Sequence, residues 1–136
     1  MRFDTKIAIA VREDLAAWQK LNVTAFLASG IAAAAPEIIG KPYEDGDGNE
    51  YLALSGQPVV VYAGSGEALA AAHRKGRGRG LALAVYTEEM FGTGNDEDNR
   101  AVVRAVAADE LRFAGIATRG PRNAVDKAFK GLSLHP

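Results

Sequence analysis

Cysteine is absent from the chain, which excludes structural disulfides, thiolate-held zinc and a thiol nucleophile. A reducing cytoplasm is compatible with that composition. Only two histidines occur, His73 and His135. They are far apart, and no carboxylate–histidine spacing suggests a metal site. His73 is expected on a helix surface. No apolar stretch reaches the ~20 residues that span a bilayer. Met1-Arg2-Phe3-Asp4 leads straight into a strand-like run, so no cleavable leader is expected. An excess of either charge is missing too: 16 Lys and Arg stand against 17 Asp and Glu, a net −1. General nucleic-acid binders show a basic balance, so any RNA affinity must come from a local patch. No metal or cofactor is implied.

What is present suits one soluble globular domain over residues 1–136, long enough to bury a core without staples. Lys6 to Val11 is predicted as a strand. Ile7, Ile9 and Val11 point one way and Ala8 and Ala10 the other, so both faces are apolar, as in a central strand. Leu15 to Ala35 is predicted as a helix with Val23, Phe26, Leu27, Ile31 and Ala34 on one face, stopped by Pro36. Turn formers then interrupt the pattern, and Asp47-Gly48 reads as the two-residue turn of a small hairpin flap at about 41–53.

Pro58 to Tyr62 is the second predicted strand. Ser65 can cap a helix from Glu67 to about Lys75, with Gly76 beyond its end. Leu81 to Tyr86 is the third strand and Glu88 to Asn95 a loop. Asp96 to Ala108 is a helix whose acidic start suits the positive end of the dipole. Arg112 to Ala117 is the fourth strand. Gly120-Pro121 opens a last helix with Pro121 in its first turn, and Gly131 ends it. Alternation of this kind implies an α/β sandwich with a mostly parallel sheet.

Three blocks resemble the type-2 peptidyl-tRNA hydrolase superfamily: Ile9 to Leu15 followed by Asn22-Val23-Thr24-Ala25; Gly56 to Val61, then a helix and Gly80-Leu81-Ala82-Leu83; and Gly115-Ile116-Ala117, Gly120-Pro121 and Val125-Asp126-Lys127. Within that superfamily, the strings Trp18 to Ala25, Gly40-Lys41-Pro42-Tyr43 and Gly120 to Lys127 resemble a bacterial group, the domain of unknown function 2000 family. The resemblance implies a three-layer α/β/α sandwich with a four-stranded mixed sheet, and often a homodimer. It also implies a last strand antiparallel to the others, here after an inserted helix at about 96–108. The hydrolases carry a lysine at the start of the first helix. Asn22 falls there, with Lys20 two residues earlier, and the following glutamine and histidine fall on Phe26 and Ser29. The aspartate after the third strand has approximate counterparts in Thr87, Glu88 and Glu89. Asn22 lacks a lysine's charge and Phe26 lacks a polar group.

In α/β sheets, ligands gather at the carboxyl ends of strands. Lys20, Asn22, Thr24, Thr87 and Glu88 all follow strands there and form one candidate pocket, with Gly120 added as a ligand contact. Asn22 and Thr24 can hydrogen-bond a carbonyl or water, and Glu88 can act as a base. The bland alternative is helix capping and solvated carboxylates. Lys20, Asn22, Thr87 and Glu88 are the catalytic candidates for ester or amide hydrolysis; a small-molecule ligand without chemistry is the leading expectation. Arg74, Lys75, Arg77 and Arg79 on a Gly-rich run can contact phosphate, but cations at a helix end also complement the dipole. Asp45-Gly46-Asp47-Gly48-Asn49-Glu50 looks like the start of a calcium loop, yet Glu50 and Gly56 break the required spacing. Ser29 and Ser65 lack a nucleophile-elbow setting, and Gly64-Ser65-Gly66 does not complete a dinucleotide motif. Trp18 and Phe26 are read as core or dimer contacts.

Overall fold

A computed structural model describes residues 3–136; the reading of Met1 and Arg2 as a leaderless start lies outside that range. Strand β1 (Thr5–Arg12) is the central strand. Its alternation works as read: Ile7, Ile9 and Val11 join one core, Ala8 and Ala10 the other. Small alanines on the second face admit bulky partners, chiefly Leu69, Phe113, Ile116 and Phe129.

Helix α1 (Ala17–Ala34) covers the first face through Val23, Leu27 and Ile31, and a short 3-10 turn from Pro36 follows it. A two-stranded flap comes next, β2 (Tyr43–Glu44) with β3 (Glu50–Tyr51). Strand β4 (Val59–Gly64) lies parallel to β1, in register Ile9 to Val61. Helix α2 (Gly66–Gly78) returns over the second face, capped by the Ser65 hydroxyl, which accepts from Ala68 N–H at 3.1 Å. Strand β5 (Leu83–Thr87), a 3-10 turn at Glu88–Gly92 and helix α3 (Asp96–Arg104) follow. Strand β6 (Phe113–Pro121) then enters between β5 and β1, antiparallel to both. Helix α4 (Arg122–Ala128) packs beside α2, and β7 (Ser133–Leu134) ends the sheet.

The chain is thus a mixed α/β domain with four helices and a five-stranded sheet, order β5-β6-β1-β4-β7. Five strands replace the expected four because β7 pairs Leu134 with Tyr62 over two residues, too short for any periodic signal. The sheet is not mostly parallel: β1 with β4 is the one parallel pair among the described strands. Strand β6 returns antiparallel because α3 and the 3-10 turn at Ala108–Glu110 stay near one end of the sheet.

Several boundaries also move. Helix α3 ends at Arg104, not Ala108, and has no fully buried residue to anchor a further turn. Gly120 and Pro121 belong to β6, with Pro121 as cap instead of first-turn residue. Helix α2 continues past Lys75 to Gly78. Gly76 is buried inside it because a β-carbon there would press on Leu83 at 3.1 Å, and Gly80, with φ +73°, makes the left-handed turn. In the flap, the turn is not the two-residue Asp47-Gly48. The Gly48 N–H donates to the Asp45 carbonyl at 3.1 Å and Gly48 takes φ +86°, giving a type I turn with a glycine bulge. His73 is not on the surface; it is buried with its ring 4.6 Å from that of Phe113. Among the described residues, no helix is long and apolar enough to cross a membrane.

Candidate functional site

Strands β1 and β5 run in the same direction on either side of β6, and each is followed by a polar segment. Arg12 closes β1 and pairs with Asp14 at 2.6 Å and with Glu88 at 3.4 Å. From β6's side, Arg112 reaches Glu88 at 3.1 Å and Glu89 at 2.5 Å. Glu88 therefore bridges two guanidinium groups, and its own N–H donates to the Arg112 carbonyl at 2.9 Å. The Arg12 hydrogen bond holds the Asp14 carboxyl below its ordinary value. Glu89 is also held down, first by its own backbone N–H and then by Arg112.

Above this network lies an open cleft of about 380 Å³. Helix α1 supplies Trp18, Asn22 and Phe26, four residues apart and so stacked along one stripe. Tyr86 supports it from β5, with Met90 and Phe91 from the 3-10 turn. Four rings run in series: Trp18 to Phe91 at 6.0 Å, Phe91 to Tyr86 at 5.0 Å, and Tyr86 to Phe26 at 5.7 Å between centroids. The facing rim is polar. Asn95 caps α3 by accepting from Asp98 N–H at 2.8 Å, and Thr93 hydrogen-bonds the Met90 carbonyl and Asn99. Asp96, also on this rim, pairs with Arg100 at 2.6 Å. Burial pushes the Tyr86 phenol up from its ordinary value, against a smaller opposing effect of the Asn22 side chain. An adjoining groove of about 410 Å³ runs past Phe26 and Asp96 to Arg100 and Arg104.

The expected site residues do not all meet here. Asn22 lines the cleft. It lies inside α1, which starts at Ala17, so neither it nor Thr24 opens or caps the helix. Thr24 donates its hydroxyl to the Lys20 carbonyl at 2.7 Å, an intrahelical bond. Lys20 acts on Asp14 through its charge. Thr87 is fully buried, and its hydroxyl has no hydrogen-bond partner among the described residues. Glu88 belongs to the arginine network below the cleft. Gly120 lies opposite Lys6 in the β1–β6 register, at the other end of β6 from Phe113. Seven residues of strand separate those ends, roughly 23 Å, so Gly120 is not brought to the cleft.

The basic run stands elsewhere: Arg74, Lys75 and Arg77 ride on the last turns of α2, Arg79 follows, and Lys75 donates to the Lys130 carbonyl at 2.8 Å. The flap carboxylate Asp45 accepts from Asp47 N–H, Asn49 N–H, the Asn49 amide and the Tyr51 hydroxyl. Those donors hold its pKa far below the ordinary range, with Tyr51 first. They fill the lone pairs a calcium ion would need. Among the described residues, no group of three or more histidine or carboxylate side chains is gathered to hold a metal.

Sequence reasoning missed Arg12, Arg112, Phe91, Asn95 and Asn99 as parts of this region. Trp18 and Phe26, read as core or dimer contacts, are not in the core: they are 63% and 52% exposed. The signal was the Trp18–Asn22–Phe26 spacing, set off from the buried Val23–Leu27–Ile31 stripe.

Fold and cleft together define a mixed α/β domain with an aromatic-walled depression beyond the carboxyl ends of β1 and β5. The chain belongs to the DUF2000 family of proteins of unknown function, whose model matches residues 5–136. It is also similar to a solved structure of a protein of unknown function, Atu0240 from Agrobacterium tumefaciens strain C58. That likeness has 52% identity and a TM-score of 0.98, covering 99% of this chain and 100% of the other. No curated protein matches.

Proposed function

We propose that this protein is a cytoplasmic relative of the type-2 peptidyl-tRNA hydrolases that binds a small ligand without hydrolysing it. The supporting observation is the cleft over Tyr86, where Asn22 stands between Trp18 and Phe26. Ligand sites are concave, largely apolar and fitted with a few polar groups, and this cleft has that make-up. Hydrolysis by Lys20 would need its amine against Thr87 or Glu88. Instead Glu88 is engaged by Arg12 and Arg112, and the Thr87 hydroxyl is enclosed. A thermal-shift screen of the native chain against Asn22→Ala tests the reading. A ligand at about a hundred times its Kd adds ~2.7 kcal/mol of stability, several degrees in Tm. Hits that stabilise both proteins equally place binding elsewhere. A peptidyl-tRNA cleavage assay with Lys20→Ala as control addresses the catalytic alternative: turnover above buffer that depends on Lys20 would replace this reading.

A second reading rests on the exposed side of α1 and the flap. Helix α1 exposes Trp18, Leu21 and Phe26, and the flap region exposes Leu52 and Leu54. Lys20 is the sole charged residue in this 18-residue helix. A helix apolar on both sides is normally covered. A second copy of the chain, docking on α1 and the Tyr43–Tyr51 flap, would cover it.

A further inference from the structure

We propose that the cleft takes an uncharged, flat heteroaromatic ring carrying both a hydrogen-bond donor and an acceptor on its edge. This rests on the cleft being a ligand site and adds the chemical class of its occupant.

Shape argues for a flat ring. Tyr86 is 5% exposed, while Trp18 and Phe26 at the two ends of the ring series are more than half exposed. The inner rings are spent on each other, and the outer two keep open faces. Aromatic pairs gain from offset or edge-on contact, which a saturated ring cannot supply. A volume of about 380 Å³ is near the lower end of ligand pockets, roughly 300–1,000 Å³. It suits one or two fused rings.

Charge argues for a neutral one. No lysine or arginine lines this cleft. Asp96, the carboxylate on its rim, is already paired with Arg100. An ionised ligand seated within the cleft would lose water without a free counter-charge among its lining residues, which is unfavourable. Hydrogen bonding then selects the edge. Both groups of the Asn95 amide are used, the oxygen on Asp98 N–H and the nitrogen on the Asp98 carboxylate. Asn99 is engaged by Thr93, whose hydroxyl also meets the Met90 carbonyl, so one end of its amide is already used. The Asn22 amide lines the same cleft and carries both a donor and an acceptor. An amide presents a donor and an acceptor side by side, which calls for the converse pair on the ligand.

Trp18 is the only tryptophan, so indole emission reports the cleft directly. The full chain is titrated with adenine, benzoate, benzyltrimethylammonium and cyclohexanecarboxamide. Adenine is expected to quench Trp18 saturably, at least tenfold more tightly than the two charged rings or the saturated amide. Asn22→Leu and Asn99→Leu are each expected to weaken adenine about tenfold, a typical effect for a hydrogen bond left unmade. Asn22→Gln, which keeps the amide and the helix, guards against a folding defect and is expected to retain part of the affinity. Benzoate or the ammonium matching adenine overturns the neutral class, and the saturated amide matching it overturns the flat ring. Either result, if sensitive to Asn22→Leu, leaves the cleft as a ligand site. Emission that changes with protein concentration alone, and with none of the four probes, assigns the cleft to a second copy. No change under any condition overturns both readings.

Discussion

His73 projects from α2 onto Phe113 of β6 and is 6% exposed. Burial lowers its pKa first, Arg77 and Arg74 add to that, and Asp109 opposes it. The folded chain therefore favours neutral imidazole more than the unfolded chain does, whose histidine titrates near ~6.5. Stability from this group is complete above that value. It is lost as the pH falls through the folded-state pKa, because the unfolded chain binds the proton first. Melting curves of the native chain are expected to fall between pH 7 and 5 more steeply than those of His73→Phe; parallel curves would assign that slope to other groups. Asp14 and Glu89, held below their ordinary values, lose their contributions at lower pH, where unfolded carboxylates protonate. None of this was visible in the letters around position 73. A histidine four residues from Leu69 and three from Ala70 on a helix reads equally well as inside or outside, and only Phe113, forty residues on, decides it.

Elements carry the next set of consequences. Leu27 sits between the buried Val23 and Ile31 on α1 and is 2% exposed. Leu27→Ala is expected to cost about 2–5 kcal/mol, the range for a buried leucine cavity, measured by urea unfolding. Ser65→Ala removes the α2 cap and is expected to cost about 0.5–2 kcal/mol. The flap depends on one carboxylate, so Asp45→Ala is expected to speed proteolytic nicking within residues 43–51 while leaving the core transition nearly unchanged. Equal nicking rates would show that the backbone turn suffices. Elements with strong period were legible: β1, α1, β4, β5 and most of α2 lie within a few residues of their predicted places. Elements built on one contact were not. Gly76 seated against Leu83, and Ser133–Leu134 against β4, depend on partners that no local window contains.

At the scale of the molecule, the apolar outer side of α1 and the cleft share Trp18 and Phe26, so a second copy and a ligand would compete for one surface. Stable dimers bury roughly 1,200–2,000 Å² in all. Sedimentation is expected to show a dimer at micromolar concentration, dissociated by Leu21→Glu; a monomer at every concentration would remove the second copy from that face. A depression beyond the ends of β1 and β5 was legible because topology places ligands there, and Asn22, expected there, lines it. The aromatic wall was not, since Phe91 and Asn99 arrive from segments whose packing no motif announces. Amide-shift mapping by NMR during titration with adenine tests the cleft most directly. The account expects perturbations concentrated at Trp18, Asn22, Phe26, Tyr86 and residues 90–99. Shifts centred instead on Gly120 and Arg122, or scattered evenly over the surface, would contradict it.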